Sequence, residues 1–180
     1  MWVALIFIVI AVVIAGVFNI FIRKRMLVKE AWSGIDVQLK RRHDLIPNIV
    51  EAVKGYMRHE RSVLENVTRL RSSAESATGQ KDKAALENDI TKALKTIFAL
   101  AEAYPDLKAS EQFLALQKNL AEVENEIQLA RRYYNGTVRD YNTATATFPN
   151  LIFAKLFNFS KEDFFEIETA TERKPVEVKF

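Results

Sequence analysis

His43 and Asp44 stand side by side in LKRRHDLIPN, residues 39–48, directly after Lys40, Arg41 and Arg42. An imidazole beside a carboxylate could move protons, and clustered cations could hold a phosphate or another anion. Adjacency does not orient the imidazole, however, because successive helical residues point about 100° apart. The rest of the chain supplies no second half to a catalytic site. No serine lies in a nucleophile motif. The two histidines, His43 and His59, are sixteen positions apart with no HExxH or comparable ligand spacing. Glycine-rich phosphate loops and dinucleotide fingerprints are absent. The chain has no cysteine, which excludes disulfides, thiolate metal sites, a cysteine nucleophile and a lipid-modified cysteine anchor. The residues therefore point to no catalytic group, no metal ligand and no cofactor. They leave one candidate chemistry, contact with an anion or lipid headgroup through Lys40, Arg41, Arg42 and His43, joined by Arg131 and Arg132.

A structural reading competes for the same ten residues. Pro47 has no amide proton, and inside a helix its ring would clash with the carbonyl of residue 43. With Asp44 as an N-cap, Pro47 falls in a first turn, where the missing donor costs nothing. Lys40–His43 would then end the preceding helix as cations complementing its dipole. The apolar stripe continues nearly in register through Pro47, so one kinked helix is the alternative.

These side chains must be positioned by helices. Residues 1–22, MWVALIFIVIAVVIAGVFNIFI, carry no charge and would span about 33 Å as a helix, close to the thickness of a bilayer's hydrocarbon core. The run is longer than a signal peptide's apolar region, lacks a cationic start and has no clear cleavage site, so it reads as a membrane anchor. Arg23, Lys24, Arg25 and Lys29 follow it, which places the short N-terminus outside and the bulk of the chain on the cytoplasmic side of the inner membrane. The 26 cationic and 23 anionic side chains are interspersed, which is no nucleic-acid signature.

Beyond the anchor, apolar residues recur at helical spacing. Val28, Trp32, Ile35 and Leu39 form one stripe, and Ile46, Ile49, Val53 and Tyr56 another that runs on through Val63, Val67, Leu70 and Ala74. Leu86 to Tyr104 and Phe113 to Tyr141 repeat the pattern. SATGQKD, residues 76–82, reads as a helix connection with Asp82 as N-cap. Pro105 ends the third helix, and Ser110 caps the long fourth. Only VEVKF at the end alternates like a strand. The expected fold is all-α, an N-terminal transmembrane helix followed by an antiparallel bundle of long helices, in the range of helical-bundle and coiled-coil proteins.

Seven of the twelve phenylalanines lie in residues 148–180. Phe148, Phe153, Phe157 and Phe159 either cover an open end of the bundle or meet lipid or a partner. In RRYYNGTVRDYN, Tyr134 and Tyr141 fall on the apolar face. A buried hydroxyl needs a partner, which Asp36, Asp44 or Asn48 could supply. The resulting division is an anchor at 1–22, a bundle at 23–147, an aromatic segment at 148–168 and a charged tail at 169–180.

EAWSGIDVQLKRRHDLIPNIVEAVKGY (30–56), LAEAYPDLKASEQFLALQ (100–117), RRYYNGTVRDYN (131–142) and FPNLIFAKLFNF (148–159) together resemble the LemA family of bacterial membrane proteins. The resemblance runs in order over nearly the whole chain after the anchor. It implies a single N-terminal span and an antiparallel helical bundle. The family has no established enzymatic activity and lends no catalytic residues. Its distant likeness to a magnetosome-associated membrane protein implies membrane organisation.

Two functions fit these features. The first is a non-enzymatic, membrane-anchored scaffold that self-associates, with membrane lipid, further copies of itself and other membrane proteins as partners. Its packing or protomer contacts would be Trp32, Tyr134, Tyr141, Phe148, Phe153, Phe157 and Phe159. The second is a binding module for an anionic ligand or lipid headgroup at the basic helix end.

Overall fold

Stripes of apolar residues at three- and four-residue spacing oblige each helix to bury one face. In the computed structural model, which describes residues 1–57 and 59–165, every regular element is a helix: α1 (Trp2–Lys54), α2 (Arg61–Ser76), α3 (Gln80–Ala101), α4 (Pro105–Lys108), α5 (Glu111–Ala146) and α6 (Asn150–Leu156). The chain divides into two compact units. Among the described residues, one comprises 1–38 and 125–164 and the other 39–124 with Phe165.

The second unit is a helical bundle. Its core takes Ile46, Ile49 and Val53 from α1 and Leu64, Val67, Leu70 and Ala74 from α2. Ile90, Leu94 and Ile97 come from α3, and Phe113, Leu116 and Leu120 from α5. Phe98 and Phe113 stack with ring centroids 5.6 Å apart. The four-residue α4 opens with Pro105 at its first turn, where a missing N–H is tolerated, and buries Leu107.

The break expected at Asp44 does not occur, because α1 continues unbroken through Pro47. An internal proline costs about 3 kcal/mol, whereas burying Ile46, Ile49 and Val53 returns roughly 1.5–3 kcal/mol each. Pro47 faces outward, and the stripe wins. The helix ends instead at Lys54, after which the amides of Tyr56 and Met57 both donate to the Val53 carbonyl, at 3.0 and 2.9 Å. Glu60 accepts a 2.7 Å bond from the Tyr104 hydroxyl. That bond, with burial and the carboxylate's charge, raises the Tyr104 pKa.

Two other boundaries separate the cap residues. Asp82 is not the α3 N-cap. Gly79 holds that position, and Asp82 lies in the first turn, where its charge complements the helix dipole. Ser110 does cap α5, its Oγ accepting the Phe113 amide at 3.4 Å. The VEVKF stretch, residues 166–168 of the aromatic segment and the 169–180 tail lie outside the described residues.

In the first unit, residues 2–22 of α1 turn almost every side chain outward. Trp2, Phe7 and Ile8 are 82%, 66% and 64% exposed. This part of α1 is long and apolar enough to cross a membrane. At its end Phe21 is buried with Ala144 and Ala154, surrounded by Val17, Phe153 and Phe159. α6 closes with a left-handed residue, Asn158 at φ 56°. The Phe159 amide donates to Ala154 O at 2.8 Å and the Asn158 amide to Lys155 O at 3.3 Å. This paired arrangement caps the helix and turns Phe159 back onto the cluster.

Candidate functional site

Arg42 is fully buried in the second unit, at the centre of a polar layer to which four helices contribute. Its Nη1 donates to Thr91 Oγ1 and Glu124 Oε1, both at 2.8 Å. Its Nη2 donates to the Glu87 carbonyl at 3.2 Å and pairs with the Glu87 carboxylate. His43 Nε2 donates to the other Glu87 oxygen at 2.8 Å, while its Nδ1 lies 3.8 Å from Glu75. Arg71 holds Glu75 at 3.1 Å.

Burial alone would raise the Glu87 carboxyl pKa. The bond from His43 and the Arg42 and His43 charges outweigh it, so the pKa is lowered. A carboxylate that accepts from a guanidinium and an imidazole stays ionised and is a poor proton carrier. The Arg42 guanidinium stands where a bound cation would sit among these carboxylates. An external anion would have to displace Glu87 and Glu124 to reach it. Removing either partner of such a pair leaves an uncompensated buried charge, at a cost of about 3–5 kcal/mol.

The other basic candidates divide between the two units. Lys40 is exposed, 3.8 Å from Asp44, and Arg41 is exposed next to it. Arg131 is buried and Arg132 exposed, both in the first unit. His59 is exposed in the turn after α1. At least eleven helical residues, about 16 Å of rise, separate it from the buried His43.

The first unit gathers the aromatic candidates. Trp32 meets Tyr134 edge-on with ring centroids 5.4 Å apart. The Tyr134 hydroxyl donates to the Asp163 carbonyl at 2.9 Å. Burial and the nearby charges of Glu162 and Asp163 push its pKa up to about 12. Tyr141 is fully buried. Burial and the Glu162 charge raise its pKa against the opposing pull of Arg25. Phe157 and Phe159 pack on Phe18 at 5.3 and 5.7 Å, and Phe159 on Phe21 at 4.9 Å. Phe153 is half-buried beside them, whereas Phe148 is 82% exposed.

Several residues that organise these clusters were not singled out by sequence reasoning. Asn142 fastens the chain after α6. Its amide nitrogen donates to Glu162 O at 2.8 Å and its Oδ1 accepts the Glu162 amide at 2.9 Å. Arg25 lies 3.5 Å from the Glu162 carboxylate. Glu87 falls on the 84–87–90–94–97 stripe of α3, a spacing that places it on the buried face.

The sequence model of the LemA family matches residues 31–180. The chain is 28% identical over 137 residues to Protein LemA of Metamycoplasma hominis, covering 76% of this chain and 63% of that protein. It is 20% identical over 179 residues to the magnetosome protein MamQ of Magnetospirillum gryphiswaldense, covering 85% of this chain and 66% of that protein. The chain thus spans just under two thirds of the length of these relatives. With the helical architecture and the long apolar N-terminal helix, the match over 31–180 settles the assignment: the chain belongs to the LemA family.

Proposed function

We propose that this protein is a non-enzymatic scaffold anchored in the inner membrane by residues 2–22 of α1, self-associating there and organising membrane or partner proteins. The observation that carries this reading is the division within α1. Its first part exposes an uninterrupted uncharged surface, and residues 39–54 of the same helix spend their side chains on a bundle core. The charged groups with the most chemical potential, Arg42, His43 and Glu87, are used up in holding helices together. The cations of residues 23–25 favour a cytoplasmic bundle. Kinship with a protein named for the magnetosome supports a role in organising membrane.

Trp32, Tyr134 and Tyr141 are occupied within one chain, so protomer contacts fall to apolar side chains left outside. Leu129 and Tyr133, one helical turn apart on α5, are both exposed. An anchor that confines diffusion to two dimensions raises the effective concentration of weak contacts of this kind. Native mass spectrometry of the detergent-extracted full chain tests the assembly: defined oligomers that Tyr133→Glu dissolves are expected, and a strict monomer at high concentration overturns it.

A further inference from the structure

We infer that α6 and the turn before it form a second membrane contact, lying in the lipid interface beside the end of the span. The inference rests on the anchoring role of residues 2–22 proposed above. Phe18 and Phe21 lie in the last turns of the uncharged run, and Arg23 begins the charged one. Phe157 and Phe159 pack on those two rings, and Ala154 and Phe153 join the same cluster. These contacts hold α6 at the depth where the span passes from hydrocarbon to headgroup.

The opposite face of α6 is apolar and uncovered. Leu151, Ile152 and Leu156 are exposed there, with Phe148 just before them. Residues 147–159, TFPNLIFAKLFNF, contain a single charge, Lys155. A lysine can keep its stem in the interface while its ammonium reaches phosphate. Charges resume at once with Lys161, Glu162 and Asp163, the last two tied back to α5 by Asn142 and Tyr134. An apolar face held against a membrane-spanning helix at this depth is continuous with the lipid-facing surface of that helix. Acyl chain and glycerol are therefore its occupants.

The natural chain has no cysteine, so a single introduced one reports a single position. Ile152→Cys, Val12→Cys at mid-span and Lys95→Cys on the exposed face of α3 are each labelled with an environment-sensitive nitrobenzoxadiazole dye. The full-length proteins are reconstituted in phosphatidylcholine–phosphatidylglycerol vesicles, with helical content checked by circular dichroism. Lipid nitroxides placed high or low on the acyl chain then quench by depth. The expected pattern is blue-shifted emission at position 152 lost mainly to the shallow nitroxide, loss at position 12 mainly to the deep one, and neither at position 95. Quenching at 12 with a water-like, unquenched signal at 152 overturns the interfacial α6 and leaves the anchor standing. No quenching at position 12 removes the anchor and this inference with it.

Discussion

Arg42 and Glu87 form an ion pair in which neither side chain retains any solvent exposure. They join α1 to α3 inside the bundle, with Thr91 and Glu124 also accepting from Arg42 and His43 bonded to Glu87. Such a layer stabilises little against a hydrophobic replacement of the same shape. It does penalise every register that separates the partners.

Mutual burial makes the pair strongly coupled. Glu87→Ala is expected to cost about 3–5 kcal/mol because Arg42 stays buried with insufficient countercharge. The double variant Arg42→Leu/Glu87→Leu should cost less than the sum of the single changes. Urea denaturation of the detergent-solubilised protein, arranged as a double-mutant cycle, measures the coupling.

The lowered Glu87 pKa also fixes a direction for acid stability. Its ordinary value is 4.5, and the folded state holds it lower. Between those two values the unfolded chain binds the extra proton, so stability is complete above the ordinary value and falls as pH drops through the folded one. Melting temperature followed down from neutral pH should decline across this range. Glu87→Gln should start less stable and flatten that part of the profile.

At alkaline pH the corresponding group is Tyr134. Its pKa stands at about 12 rather than 10, so its contribution is complete below 10 and lost as pH rises toward 12. Ultraviolet titration should show late-ionising tyrosines, and Tyr134→Phe should remove the component near 12. The variant keeps the ring against Trp32 and loses the bond to Asp163, at a cost of about 1 kcal/mol.

The reciprocal bonds between Asn142 and Glu162 predict a local effect. Asn142→Ala should remove the hydrogen-exchange protection of the Glu162 amide and leave the bundle core, for example the Ile90 and Ile97 amides, as protected as before. Exchange read by mass spectrometry or nuclear magnetic resonance separates this from general destabilisation.

Because α1 passes through Pro47, restoring an amide there should close the missing helical bond. Pro47→Ala is expected to raise stability by about 1–2 kcal/mol, less than the full helix penalty of proline because the unfolded chain regains freedom. A chain reversal at residue 44 would instead make the substitution neutral or unfavourable, and the denaturation midpoint distinguishes the two.

What the sequence disclosed follows from periodicity. Ile46, Ile49 and Val53 of α1, and Phe113, Leu116 and Leu120 of α5, occupy one face of each helix, and each set enters the core. Ser110 was legible because a hydroxyl before an acidic first turn has one local use. Arg42 was misjudged by residue type, since a cation next to others suggests water. Its position at 39–42–46–49–53 places it on the stripe, and its partner Glu87 occupies the same kind of position on α3. Which stripe charges meet depends on the register between helices, and that information is not local. Pro47 carried a strong local signal that longer-range burial overrode. The Asn142–Glu162 clasp joins residues twenty apart, and Glu162 lies in the irregular chain after α6, where no period exists to be read.

On this reading residues 2–22 lie in lipid and tether the bundle. Alkaline carbonate extraction of membranes from cells expressing the full chain tests it most directly. The full chain is expected to stay in the membrane pellet, while a chain lacking residues 2–22 is released. Recovery of the intact full-length protein in the aqueous supernatant would contradict it.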